Sequence, residues 1–334
     1  LSIVLKTAAV IIVNWNGKKH LDECLRAVIE QDFTDFRIIV VDNGSTDGSV
    51  DFVKRRFPQV TLIPLAWNTG FCRGNNVALE TVREPFVALL NNDAVPESSW
   101  LGTLVAALEE NREAGFAASL MLCHRQPKVI DRAGDGYTTA GVPILRKRGR
   151  PASEAGQKAW VFGASAGAAI YRMAMLNRVG FFDEDFFLLQ EDVDLSFRAQ
   201  LMGYRCLYVP EARVYHHGSM SIIHDSPLSV YYGHRNLEWV YGKNMPDRLL
   251  SRTVFLHGIY GALSFLFFSA GRRGGIYVKA KLDAARGWKR MMVKRKSIQK
   301  RRIISDTETM ALLDQENFFY RFTMRLKRKG ENDK

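Results

Sequence analysis

FVALLNND, residues 86–93, is an apolar run that stops abruptly at Asn91-Asn92-Asp93. A short apolar run bounded by polar residues reads as a strand buried on both faces, its carboxyl end opening into a cleft. Three similar runs precede it. Ala8–Val13 ends at Asn14-Trp15-Asn16-Gly17, Arg37–Val41 ends at Asp42-Asn43-Gly44-Ser45, and Val60–Ile63 leads to the glycine- and asparagine-rich stretch Asn68–Asn76. Helical patterns separate these runs: Leu21, Cys24, Leu25, Val28 and Ile29 recur at helical spacing, and Asp47 or Ser49 can cap a helix running to Phe57. Repeated β-then-α units predict a Rossmann-like α/β fold, with a mostly parallel sheet flanked by helices. Ligands of such sheets collect beyond the carboxyl ends of the strands. Asn14, Asp42, Asn68 and Asp93 all fall at that edge, which predicts one site.

Further along, Cys123–Lys158 is poor in periodicity and rich in Gly, Arg and Pro. It reads as a long excursion, a mobile flap over the site. Order returns at Trp160–Tyr171, and Glu191–Met202 reads as a helix with an acidic start. Arg205–Val209 is a predicted strand, followed by Tyr215-His216-His217.

The chain has 334 residues, 47% of them hydrophobic, and a formal net charge of +12. That supports one large domain with a smaller appendage, divided here as residues 1–245 and 246–334. The charge is local. Between Arg272 and Arg302 stand thirteen Lys or Arg against one acid, Asp283. Just before it, Thr253–Gly271 is strongly apolar, slightly short of the roughly 20 residues a membrane span needs, and interrupted by His257, Gly258 and Gly261. The two segments together predict a helical region lying on, or dipping into, an anionic membrane surface. The competing reading is a core helix with a solvated basic extension. A nucleic-acid partner fits poorly, because Tyr277 and Trp288 are the few aromatics interleaved with the charges. Cys24, Cys72, Cys123 and Cys206 lack metal-finger or CxxC spacing and read as reduced thiols. Leu1–Lys6 is too short for a signal peptide, so the catalytic part is expected on the cytoplasmic side.

Each candidate residue has a plain and a chemical reading. Asp42 can accept hydrogen bonds from a pyrimidine or a ribose, but Asp-Asn-Gly-Ser is also ordinary turn chemistry. Asp93, fed into a cleft by a buried strand, suits a hard cation carrying a diphosphate; its competing role is helix capping near Pro96 and Ser98. Glu191, Asp192 and Asp194 are favoured in a first helical turn by the dipole alone. Aromatic rings at Phe181–Phe187 crowding a carboxylate would instead raise its pKa and suit it to proton abstraction. His216 is either structural or a further metal ligand. A nicotinamide-dependent dehydrogenase should show GxGxxG after the first strand, where this chain has Asn-Trp-Asn-Gly-Lys-Lys.

Taken in order, VIIVNWNG (Val10–Gly17), VVDNGSTDGS (Val40–Ser49), NTGFCRGNN (Asn68–Asn76), LLNNDAVP (Leu89–Pro96), GFFDEDFFLLQEDVDLSFR (Gly180–Arg198) and His216–Ser219 resemble family 2 glycosyltransferases of the GT-A fold. The likeness covers roughly residues 8–245 and is greatest to the bacterial rhamnosyltransferase-like branch. It implies that Asp42 contacts the base of a nucleotide with Asn14 and Asn16 nearby. Asn68, Gly70, Arg73, Asn75 and Asn92 would cradle the rest, with Arg73 near the diphosphate. Asp93 matches the last residue of the DxD motif and would bind Mg²⁺ or Mn²⁺, with His216 as a second ligand. Asp192 matches the catalytic base within a Glu191-Asp192 pair, and Asp183 and Glu184 would lie towards the acceptor. Asn91 departs from the pattern, since an amide oxygen is a weaker cation ligand than a carboxylate.

The resemblance implies inverting transfer from a nucleotide sugar to a lipid-linked saccharide in cell-surface polysaccharide assembly. The expected donor is dTDP-L-rhamnose; the alternatives are a UDP-sugar, or a non-catalytic nucleotide-sugar-binding relative. The expected place is the cytoplasmic face of a bacterial inner membrane, peripheral or shallowly inserted.

Overall fold

The computed structural model describes residues 5–218 and 226–314. The first four strands form where the apolar runs place them: β1 (Ala8–Asn14), β2 (Phe36–Asp42), β3 (Thr61–Pro64) and β4 (Phe86–Asn91). They are joined by α1 (Lys18–Ile29), α2 (Ser49–Arg56) and α3 (Gly70–Leu79). These strands lie parallel in the order β3-β2-β1-β4. β1 shows why its run has no polar alternation. Ala8, Val10 and Ile12 pack with Leu21 and Leu25 of α1 on one face, while Ala9 and Ile11 pack with Cys72 and Ala78 of α3 on the other. Both faces exclude water, so both must be apolar.

Beyond β4 the sheet is mixed, which corrects the expectation of a mostly parallel one. The chain continues through β5 (Ala94–Pro96), α4 (Trp100–Glu110), β6 (Ala114–Cys123), β7 (Gln126–Ala133), β8 (Asp135–Tyr137), β9 (Pro143–Leu145), β10 (Ala159–Val161), β11 (Ala168–Arg172), α5 (Met173–Val179), α6 (Glu191–Leu201) and β12 (Arg205–His216). β11 enters antiparallel between β4 and β6, and β5 and β10 run antiparallel to β12. β7 follows β6 after two residues, too few for the crossover that a parallel pair requires, and so turns back on it. The segment expected as a flap therefore holds ordered strands, β7 on the main sheet and the β8–β9 pair. Gly134 and Gly141, both at positive φ, bound β8 and help keep β8 and β9 at three residues each, too short to show a period.

The C-terminal part is helical: α7 (Pro227–Asn244), α8 (Asp247–Ala270), α9 (Gly274–Arg286), α10 (Trp288–Arg301) and α11 (Asp306–Leu312). Trp239, Val240 and Tyr241 of α7 share the main core with Ala284 of α9 and with Met291 and Ile298 of α10. Part of the basic segment is consumed internally. Lys281 pairs with Glu238, Lys294 with Asp183 and Asp185, Arg295 with Asp247, and Arg302 with Asp306. Arg272, Lys289, Lys296 and Lys300 stand exposed.

α8 is built inside out. Its buried stripe is Leu249, Thr253, His257, Tyr260, Ser264 and Phe268, whereas Val254, Phe255, Leu263, Phe265 and Leu266 are exposed. A soluble amphipathic helix does the reverse. Among the described residues α8 is the one helix long and apolar enough to cross a membrane, and 28% of its apolar window is buried.

Candidate functional site

The carboxyl ends of β1, β2 and β4 lie in register, Asn14 opposite Asp42 and Val13 opposite Asn91. A cleft of about 240 Å³ opens there, lined by Asn68, Gly70, Asn92, Asp93, Glu191, Asp192 and His216, together with Asn43, Asp131 and Arg132. Residues from six separated stretches of sequence thus meet at one sheet edge. The loops approach closely. A Cβ at Gly17 would stand 2.0 Å from the Asn92 amide, and one at Gly70, whose φ is +86°, would strike Phe187.

Asp93 sits in the turn between β4 and β5, and β5 pairs with β12 so that Ala94 lies opposite His216. His216 Nε2 is buried without a hydrogen-bond partner among the described residues, 3.3 Å from Asp93 Oδ1. Its Nδ1 lies 3.0 Å from Asp131 Oδ2. A carboxylate and an imidazole nitrogen converging on one point, the ring fixed from behind by a second carboxylate, suit a divalent cation completed by phosphate and water. Burial alone would lower the His216 pKa, but the Asp131 hydrogen bond and the Asp93 carboxylate raise it to about 9. Burial would raise that of Asp131, yet the His216 bond and the Arg148 charge hold it well below the usual carboxylate range. Asp131 and Arg132 escaped the sequence reading because they stand on β7, in the stretch that shows no period.

Glu191 and Asp192 open α6 behind a turn in which Phe187, Leu189 and Gln190 all have positive φ. Three such non-glycine residues need outside support. It comes from buried Asn236 on α7, whose Nδ2 donates to the carbonyls of Phe186 (3.0 Å), Leu188 (2.8 Å) and Leu189 (2.7 Å). Asp192 Oδ1 accepts from the Val193 amide at 2.8 Å, and Arg132 lies 3.7 Å from its Oδ2. The carboxyl that is pushed up is that of Glu191, to about 8, by burial first and by the Asp192 charge second.

On the nucleotide side the expected residues divide. Asp42 is buried; its Oδ1 accepts from the Ser45 amide at 2.9 Å and its Oδ2 from Asn14 Nδ2 at 2.9 Å. Asn16 is exposed, its Oδ1 accepting from the Thr46 amide at 2.8 Å. None of these three lines the cleft, whereas Asn43 does. Asn43 was missed because it sits inside the turn sequence already credited to Asp42. It accepts from the Thr69 amide at 2.8 Å and donates to Gly70 O at 3.0 Å, tying the loop after β2 to the start of α3.

Four expected residues face elsewhere. Arg73 pairs with Glu80 at 2.9 Å and Glu184 at 3.2 Å, outside the cleft lining. Asn75 donates to Phe71 O within its own helix at 2.9 Å. Glu184 accepts from Asn76 at 2.9 Å, and Asp183 is gripped by Lys243 at 2.6 Å and by Lys294. The positive-φ turn at Phe187–Gln190 separates these acids from Asp192. Asp183 ties α7 and α10 to this loop, and Glu184 ties the loop to α3.

Comparison with known proteins bears on the family and the fold. The family profile described as "Glycosyl transferase family 2" matches residues 9–180, more than half of the chain. The N-acetylglucosaminyl-diphospho-decaprenol L-rhamnosyltransferase of Mycobacterium tuberculosis is 26% identical over 262 residues, covering 70% of this chain and 82% of that relative. S. aureus TarS 1–349, solved in complex with UDP, superposes with a TM-score of 0.53 at 20% identity, covering 92% of this chain and 83% of that one. Of a longer TarS chain this protein spans 43%. The mannosyltransferase PcManGT from Pyrobaculum calidifontis, solved with GDP-Man and Mn²⁺, gives a TM-score of 0.52 at 16% identity, covering 93% and 84%. At these identities the solved structures speak to the fold, a mixed α/β arrangement of GT-A type. With the profile running from β1 through the Asp93 turn to Gly180, the chain belongs to glycosyl transferase family 2 and is a hexosyl-transferring enzyme.

Proposed function

We propose that the protein transfers a sugar, with inversion, from a nucleoside diphosphate sugar to a hydroxyl of a lipid-linked saccharide at a membrane surface. One observation carries this reading: Asp93, His216 and Asp192 line a single cleft at the carboxyl edge of the sheet. Asp192 takes the proton of the acceptor hydroxyl as that oxygen attacks the anomeric carbon. The bond from that carbon to the diphosphate oxygen breaks on the opposite face, so a single displacement inverts the configuration. Asp93 and His216 would hold a divalent cation, Mg²⁺ or Mn²⁺, which would supply positive charge to offset that of the diphosphate. Asn43, Asn68, Gly70 and Asn92 contact the nucleotide, and Asn14 and Asp42 brace the loops behind them. The Mn²⁺ in PcManGT supports a metal-dependent reaction.

For the donor, a UDP-sugar is the first reading, supported by the UDP held in TarS. GDP-sugars follow from PcManGT. dTDP-L-rhamnose is the second reading, favoured by the name of the mycobacterial relative. That same name contains a polyprenyl diphosphate acceptor, and the exposed apolar side of α8 suits an acceptor presented on lipid. The exposed Arg272, Lys289, Lys296 and Lys300 favour an anionic surface, each contributing about 1 kcal/mol where it reaches the headgroups. The cytoplasmic face of a bacterial inner membrane is such a surface.

The test is a thermal-shift screen of UDP, dTDP, GDP and their sugars, with and without Mn²⁺. It is followed by transfer to a polyprenyl-diphosphate-linked acceptor. A Mn²⁺-dependent shift with UDP above dTDP supports the first reading, and the opposite order supports the second. Absence of any metal-dependent nucleotide shift overturns the donor reading altogether.

A further inference from the structure

Outside the cleft, β6 and β12 run parallel with Cys123 opposite His216, which places the next residues, His124 and His217, side by side. Their rings stack with centroids 3.7 Å apart. Glu23 of α1 reaches both: its Oε1 lies 3.2 Å from His124 Nε2 and its Oε2 lies 2.9 Å from His217 Nε2. One turn earlier on the same face of α1 stands His20, whose ring centroid is 4.4 Å from that of His217. His20 Nε2 has no hydrogen-bond partner among the described residues. Glu23, His124 and His217 offer three ligand atoms lying within 4.8 Å of one another.

We propose that Glu23, His124 and His217 form a second cation site, distinct from the Asp93–His216 pair and selective for a borderline transition ion such as Zn²⁺. Two imidazoles and one carboxylate are a zinc-type donor set; Mg²⁺ and Ca²⁺ prefer all-oxygen shells. Three protein ligands leave a fourth tetrahedral position, which water takes or which His20 reaches by rotating its ring. The Glu23 side chain is half-exposed and that of His124 a third exposed, so an ion can enter from solvent. Binding replaces two imidazole–carboxylate contacts by three bonds to one ion. It ties α1 to the ends of β6 and β12. The tie is close to the cleft, because the His217 amide donates to the Asp93 carbonyl at 3.0 Å and the His124 amide to the His216 carbonyl at 2.8 Å. The site therefore acts as a clamp on the backbone that presents Asp93 and His216, while taking no part in the transfer itself.

The experiment is a Co²⁺ titration of the untagged full chain in excess Mg²⁺, followed by visible absorption, with Zn²⁺ as competitor. One equivalent of Co²⁺ should give the strong bands of a four-coordinate site, and Zn²⁺ should remove them. Glu23→Gln combined with His124→Asn should lose the bands and any Zn²⁺-induced rise in Tm, and Asp93→Asn should keep both. Anomalous diffraction at the zinc edge gives a second readout that needs no variant to fold. Bands that persist in the double variant, bands lost in Asp93→Asn, or zinc located elsewhere would each overturn the proposal.

Discussion

Asp131 Oδ2 lies 3.0 Å from Nδ1 of His216, the ring atom opposite the one that faces Asp93. Arg148 sits 3.0 Å from the other Asp131 oxygen and holds that carboxylate in place. A histidine that ligates a cation through one nitrogen needs its other nitrogen fixed, and a carboxylate in that position raises its basicity. Asp131→Asn removes the charge and keeps the shape. We expect the Mn²⁺ concentration for half-maximal transfer to rise by about 10- to 100-fold, with the maximal rate at saturating metal much less affected. An unchanged metal requirement would show that Asp131 is a structural ion pair only.

The neighbouring acids at the start of α6 divide their labour. Glu191, its pKa raised to about 8 by burial and by the Asp192 charge, keeps its proton at neutral pH and leaves a single negative charge in the pair. Glu191→Gln mimics that neutral state and should retain most of the transfer activity. Asp192→Asn removes the base and should abolish transfer while donor binding, read by thermal shift, persists. The sign of the pH effect follows. A carboxyl raised from 4.5 to about 8 contributes stability that is full below 4.5 and is lost as pH rises through about 8. The Tm of the wild-type chain should therefore fall across that window more than the Tm of Glu191→Gln. Parallel Tm curves would remove the basis for the assignment.

Much of this site was legible in sequence because the strand ends are legible. Asn68, Gly70, Asn92, Asp93, Glu191, Asp192 and His216 were all expected at the site, and all line the cleft. Asn14, Asn16, Asp42, Arg73, Asn75, Asp183 and Glu184 were expected there too and do not line it. The difference is physical. A strand end fixes position along the sheet, but the direction of a side chain depends on its tertiary partners, as when Asn14 and Asp42 at the ends of β1 and β2 turn to each other. Lys243 and Lys294 capture Asp183 from helices more than 50 residues away in sequence, and no local pattern announces that. The mixed sheet was hidden for a similar reason, since periodicity reports burial and not strand direction. Asp131 lay on β7, whose exposed first half, Gln126, Pro127 and Lys128, carries no apolar run to mark it as a strand.

Lys243 is the buried cation of that capture. It is 1% exposed, 2.6 Å from Asp183 and 2.8 Å from Asp194. Truncating one member of a buried ion network leaves uncompensated charge, at a cost of about 3–5 kcal/mol. Here Lys294 and Arg198 still serve the two acids, so Lys243→Met should cost about 3 kcal/mol, at the lower end of that range. Lys296→Ala, at an exposed position, should stay within about 0.5 kcal/mol of wild type. Chemical denaturation followed by circular dichroism compares the two. Equal midpoints would mean that the clamp between sheet and helices contributes little.

The exposed side of α8 gives the membrane reading its sharpest test. Phe255 is 78% exposed and Leu266 is 62% exposed, so a charge at either can reach solvent. Phe255→Glu with Leu266→Glu should leave the Tm within a few degrees of wild type, because exposed sites away from caps and cores tolerate substitution. It should strongly reduce co-flotation with anionic vesicles, since two carboxylates would have to enter the apolar boundary or stay out of it. Raising the salt should weaken binding of the wild type in part, through the basic residues, and leave an apolar component that the double variant lacks. Vesicle binding that survives both substitutions, or that salt abolishes entirely, would place the contact on the basic residues and remove α8 from the membrane surface.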